Sequence, residues 1–155
     1  MGEALKKRLR MERFESPVQE AMLNLIVAAA HVRDLVDGAL AGHSITNGQY
    51  NVLRILRGVH PGGYSRCDIA GRMLERAPDV TRLIDRLEAR GLVERARSAE
   101  DRRLSITRIT PAGLELLDRL DPDVRAVADR FAERVSARDR RELSRICEGI
   151  YGDDR

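Results

Sequence analysis

The hydrophobic period of this chain changes at Gly91. Upstream, Val80, Leu83, Ile84 and Leu87 recur at i, i+3, i+4 and i+7, one face of an α-helix, while Arg82, Asp85, Arg86 and Ala89 fall on the other side. Pro78 suits the first helical position, Asp79 suits the positive end of the helix dipole, and Gly91 suits the stop, so a helix is expected from Pro78 to Arg90. Downstream, Leu92-Val93 leads into Glu94-Arg95-Ala96-Arg97-Ser98. After the polar turn from Ala99 to Arg103, Leu104-Ser105-Ile106-Thr107-Arg108-Ile109 alternates with period two and is rich in β-branched residues. A helix running directly into a hairpin implies a fold that is mainly α with a small β element.

The flanking segments read as helices. After Ser16-Pro17, apolar residues at Val18, Met22, Leu25, Ala29, Val32, Val36 and Ala39 step by four and three, a narrow seam along a helix over 16–41. Such a helix spans ~35 Å, so the seam either lies on the chain's own core or meets a partner. Thr46-Asn47-Gly48-Gln49 is a capping box opening a second helix through Tyr50, Leu53 and Leu56, which His60-Pro61-Gly62-Gly63 ends. Ser65 with Asp68 caps a third, short helix with Ile69, Ala70, Met73 and Leu74 inward, and Glu75-Arg76-Ala77 is a tight connection. In the last third, Thr110-Pro111 opens a helix with Leu114, Leu117 and Leu120, and Asp121-Pro122 restarts or bends it. Val124, Val127, Phe131 and Val135 continue the seam, and Ser136 with Asp139 opens a final helix with Leu143, Ile146, Cys147 and Ile150.

Of 28 basic residues, all but two are arginine, whose planar fork matches phosphates and guanine edges; the formal net charge is +3. Three tyrosines, two phenylalanines and no tryptophan are too few for a platform that stacks single-stranded bases, so duplex DNA is the favoured polyanion. Two helices joined by a tight turn, the second with a basic outer face, is the requirement of helix-turn-helix DNA reading, although charges opposite an apolar stripe also mark any surface helix. The hairpin adds five arginines against Glu100 and Asp101 between Arg95 and Arg108, suited to the adjacent minor groove.

At Asp79-Val80-Thr81-Arg82-Leu83-Ile84-Asp85-Arg86-Leu87-Glu88-Ala89-Arg90-Gly91-Leu92-Val93-Glu94-Arg95, at Asp101-Arg102-Arg103, and at Ile109-Thr110-Pro111-Ala112-Gly113, the chain resembles the winged-helix core of the MarR family (multiple antibiotic resistance regulators). Gln49-Tyr50-Asn51-Val52-Leu53 is similar to the opening of that family's second helix. The resemblance implies a single domain over 1–155, with a winged helix-turn-helix lobe at 46–110 and dimerisation helices at 16–41 and 111–151. It further implies a ligand-responsive transcription factor, usually a repressor, that binds a pseudo-palindromic duplex operator as a homodimer. Major-groove contacts would come from Asp79, Thr81, Arg82 and Arg86, with Ser65, Arg66, Arg95 and Arg97 beside them. Either Arg102 or Arg103 would enter the minor groove, with Asp101 holding the wing arginine. Asp79 is then either a cap or a reader of cytosine. The effector, an aromatic or phenolic anion, would meet His31, Arg33 and Tyr50.

The remaining chemistry is thin. His31, His43 and His60 lack metal-ligand spacing, no nucleophile elbow or phosphate loop is present, and no metal, cofactor or enzymatic activity is expected. Cys67 and Cys147 form no disulfide framework, and a structural Cys147 is weighed against a thiol switch. No apolar run exceeds the six residues from Leu25 to Ala30, so a cytoplasmic protein with no membrane partner is expected. Two readings from other classes stand beside the main one: a cysteine-based redox-sensing regulator, and a winged-helix protein–protein module without specific DNA binding.

Overall fold

The computed structural model describes residues 2–75, 79–97 and 104–152. Helices α1 (Glu3–Leu9), α2 (Pro17–Ala41) and α3 (Asn47–Arg57) are followed by β1 (Tyr64–Ser65), α4 (Arg66–Arg72) and α5 (Val80–Ala89). Strands β2 (Val93–Arg97) and β3 (Ser105–Ile109) and helices α6 (Pro111–Arg134) and α7 (Ala137–Tyr151) complete the chain. Residues 1–38 and 39–155 form two compact units.

In the first unit, α1 packs through Leu5, which is buried, and was not expected from the sequence because seven residues are too few to show a period. Ser16 accepts the Gln19 N–H at the start of α2, as the Ser-Pro signal predicts. The seam residues Val18, Met22, Leu25 and Val32 stand exposed.

In the second unit the core joins Val52, Leu53 and Leu56 of α3 to Ile69 of α4, Ile84 and Leu87 of α5, and Leu116, Leu117 and Leu120 of α6. The Thr46 capping box forms in full: Thr46 Oγ1 accepts the Gln49 N–H at 3.3 Å, and Gln49 Oε1 accepts the Thr46 N–H at 3.0 Å. Ser136 likewise accepts from the Asp139 N–H to open α7. The expected hairpin is part of a three-stranded antiparallel sheet in the order β1-β3-β2, with Tyr64 opposite Thr107 and Val93 opposite Ile109. Ser65 is thus both the last strand residue of β1 and the N-cap of α4, and it fastens that helix to the sheet.

Three local expectations are corrected. Leu74 is 86% exposed, not inward, because α4 ends at Arg72; its N–H is held instead by Asn51 Oδ1 at 2.9 Å. The helix expected from Pro78 begins at Val80, with Asp79 as its N-cap. Of the two outcomes expected at Asp121-Pro122, a restart or a bend, the restart does not occur: α6 runs through Pro122, since the preceding turn is anchored by buried Leu117 and Leu120, which offsets the missing N–H bond.

Candidate nucleic-acid interface

Helix α5 presents the face the periodicity predicts. Val80, Ile84 and Leu87 are buried, and Thr81, Arg82, Asp85, Arg86 and Ala89 are exposed. Its start is fixed by Asp79, whose Oδ1 accepts the Arg82 N–H at 3.0 Å while Oδ2 pairs with Arg82 Nε at 3.0 Å. One carboxylate oxygen of Asp79 thus caps the helix and the other forms an ion pair with the Arg82 side chain. Its end is a Schellman arrangement around Gly91 at φ 69°, with Leu92 N–H bonded to Leu87 O at 3.0 Å and Gly91 N–H to Glu88 O at 2.8 Å.

The sheet meets α5 across a very short connection. Thr110 Oγ1 donates to Gly91 O at 2.7 Å and accepts the Gly113 N–H at 3.2 Å, so one hydroxyl ties the end of α5 to the start of α6. Gly113 lies so close to the Leu92 carbonyl that a Cβ there would collide with it, which explains the glycine in the Thr110-Pro111-Ala112-Gly113 motif.

Several sequence-predicted residues converge. A cleft of about 420 Å³ is lined by Ser65 and Arg66 at the head of α4, Thr81 of α5, Arg95 of β2, and Cys67, Ser105 and Thr107. Beside it, Ser65 Oγ donates to Asp68 Oδ2 at 2.6 Å and holds that carboxyl below the usual aspartate range. Arg72 lies over the Tyr64 ring at 4.2 Å.

The arginines divide by what holds them. Arg82 is paired with Asp79, and Arg95 with Asp85 and with Glu88, the latter at 3.3 Å. Arg66, Arg86 and Arg97 have no acidic partner among the described residues. The Arg95 network was missed by the sequence reading, since a pair ten residues apart on a helix and a strand leaves no periodic signal. Asp101, Arg102 and Arg103, expected at the wing, lie outside the described residues, as does Pro78.

The effector candidates belong to both units. In the first unit, His31 lines a cavity of about 650 Å³ with Leu5, Lys7, Arg8, Val27 and Ala28, and Arg33 is on α2. In the second unit, Tyr50 is buried on α3 and its hydroxyl accepts from Arg54 Nη1 at 3.1 Å. Among the described residues no cluster of His, Cys, Asp or Glu could hold a metal ion, and no helix is long and apolar enough to cross a membrane.

Comparison with known proteins places this geometry. The MarR family model matches residues 45–105. The MarR transcription factor from Planctomyces limnophilus is 41% identical, covering 88% of this chain and 98% of its own, with a TM-score of 0.68. CouR, a transcriptional repressor bound to a 23-mer DNA duplex, is 29% identical over 83% of this chain and 89% of its own, with a TM-score of 0.73. CouR from Rhodococcus jostii RHA1 bound to p-coumaroyl-CoA shares the fold at a TM-score of 0.74 and 24% identity, over 88% of this chain and 95% of its own. The transcriptional regulator MhqR of Bacillus subtilis is 28% identical over 68% of this chain and 71% of its own. The chain spans between 51% and 71% of the length of these curated relatives, 65% for the regulatory protein from Thauera aromatica.

Proposed function

This chain belongs to the MarR family of transcriptional regulators, and from that premise we propose that it is a cytoplasmic, ligand-responsive repressor that binds a pseudo-palindromic duplex operator as a homodimer. The observation that carries the reading is a set of guanidiniums in the second unit that have no acidic partner among the described residues. Arg86 faces outward from α5, with Arg66 at the head of α4 and Arg97 on β2. Helix α5 enters the major groove, Thr81 and Arg86 meet bases, and Arg66 and Arg97 meet phosphates. The hairpin tip follows into the minor groove, where Arg102 or Arg103 is inserted and Asp101 steadies it. CouR in complex with a DNA duplex supports this arrangement.

Exposed apolar residues support the dimer. Helix α7 buries none of its residues, and Leu143, Ile146 and Ile150 stand open on the single chain with Met22 and Val32 of α2. The effector acts by population shift, favouring one spacing of the two reading helices over another. CouR bound to p-coumaroyl-CoA supports a small-molecule effector, for which an aromatic or phenolic anion meeting His31, Arg33 and Tyr50 is the candidate.

The test is selection of duplexes from the source genome, followed by fluorescence titration at several salt concentrations. Arg86→Ala should cost ~1–3 kcal/mol and relax preference at one base, and Arg102→Ala with Arg103→Ala should cost several kcal/mol. Arg97→Ala should weaken all sequences alike and lower the salt slope by roughly one. Unchanged operator affinity in the Arg86 and Arg102/Arg103 variants would refute the reading.

A further inference from the structure

Taken alone, α5 is electrically neutral: Arg82 and Arg86 are balanced by Asp85 and Glu88. A helix with no net charge is poorly suited to approach a phosphate backbone, and Asp85 lies on its exposed side. The compensating charge comes from the neighbouring strand. Arg95 of β2 sets Nη2 on Asp85 Oδ1 and Nε on Glu88 Oε2, the latter at 3.3 Å, so one guanidinium takes both acids of the helix. Its side chain is only 30% exposed. The acids are three residues apart on one edge of α5, and a planar fork bridges such a pair in a way that a point-charge ammonium does not.

We propose that Arg95 is a positioning residue for DNA binding: it fastens the base of the wing to the reading helix and cancels the two acids of that helix, and it does not itself contact phosphate. The inference rests on the DNA-binding reading above. Only three residues separate α5 from β2, and Ile84 and Leu87 of α5 and Val93 of β2 are buried. The ion-pair network is therefore the polar element that sets the rotation of the strand about the helix. Without it, Asp85 and Glu88 face the duplex uncompensated. With it, Arg86 dominates the outer face.

The experiment uses the full-length protein as Arg95→Ala, Arg95→Lys and the triple variant Arg95→Ala/Asp85→Asn/Glu88→Gln. Amide hydrogen exchange without DNA reads the fastening, and fluorescence titration of a genomic duplex at several salt concentrations reads binding. In Arg95→Ala, exchange should quicken across Val93–Arg97 and affinity should fall by roughly tenfold, with Arg95→Lys intermediate. The triple variant should recover most of that loss and keep the wild-type salt slope. A triple variant that stays weak, with a slope lowered by roughly 0.9, would make Arg95 a phosphate contact and overturn the proposal. If the wild-type protein binds no duplex, the DNA reading fails; exchange in Arg95→Ala then still decides the fastening role, and unchanged protection overturns it.

Discussion

Arg57 of α3 grips Asp121 of α6 through both carboxylate oxygens, Nη1 to Oδ2 at 3.0 Å and Nη2 to Oδ1 at 3.4 Å, with Asp118 a further 3.8 Å from Nη1. The grip falls on the turn before Pro122, where a helix loses one backbone hydrogen bond. Arg57 and Asp121 keep 28% and 33% of their side-chain exposure, so the forked geometry counts for more than it would at an open surface. Arg57→Ala should lower unfolding free energy by about 1 kcal/mol, read from urea denaturation. Asp121→Asn, which keeps one acceptor, should cost less.

A second prediction concerns close packing at the start of α6. A Cβ on Gly113 would run into the carbonyl oxygen of Leu92, just before β2, and lie 2.7 Å from Cγ1 of Ile109, the last residue of β3. Gly113→Ala should destabilise the protein by about 1–3 kcal/mol, although alanine is the better helix former. Gly149→Ala, in α7 with open space around it, should be neutral or stabilising by up to about 1 kcal/mol. Thermal unfolding of the two variants side by side gives the comparison.

These residues show where the sequence was legible. Caps are local: a hydroxyl and a backbone N–H three residues apart leave a signature, and those at Thr46, Ser65 and Ser136 formed as read. The apolar stripe of α5 was legible for the same reason. Strand β1 was not, because two residues carry no period and its pairing with β3 spans more than 40 positions. Leu74 was misplaced because the helical spacing continued past Arg72, where the helix ends and Met73 turns extended. The interface arginines could be listed from composition and motif. Which of them are occupied by acids could not, since Arg95 meets Asp85 and Glu88 only once β2 folds back on α5.

Cys67 offers a direct report on the interface. It is exposed and lines the cleft with Thr81, and Arg66 Nη2 lies 3.7 Å from its Sγ. A bound duplex should shield it, so maleimide labelling of Cys67 should slow at least severalfold on adding operator DNA, while labelling of half-buried Cys147 should not change. Mass spectrometry of labelled peptides measures both. Cys67→Ser should bind DNA as tightly as the native protein, and mild peroxide should release neither. Peroxide-dependent release abolished by Cys67→Ser would favour a redox-sensing regulator instead.

The last prediction is the homodimer, and it follows from apolar side chains that the single chain leaves in water. Helix α7 buries no residue, yet Leu143, Ile146, Ile150 and Tyr151 occupy it, and Ile150 is 59% exposed. Val18, Met22, Leu25 and Val32 of α2 are likewise open. At ~1.5–3 kcal/mol for each large side chain left unburied, these stripes would forfeit more free energy than a marginally stable domain possesses. Two-fold pairing covers them and sets two α5 helices about one DNA turn apart, so half-sites should lie ~10–10.5 base pairs centre to centre. Val32→Asp combined with Leu143→Asp should abolish dimerisation and operator binding together, with any residual monomer less stable to heat. Sedimentation equilibrium of the native protein at micromolar concentration measures the state directly. A stable folded monomer there would refute the dimer, and with it the palindromic operator.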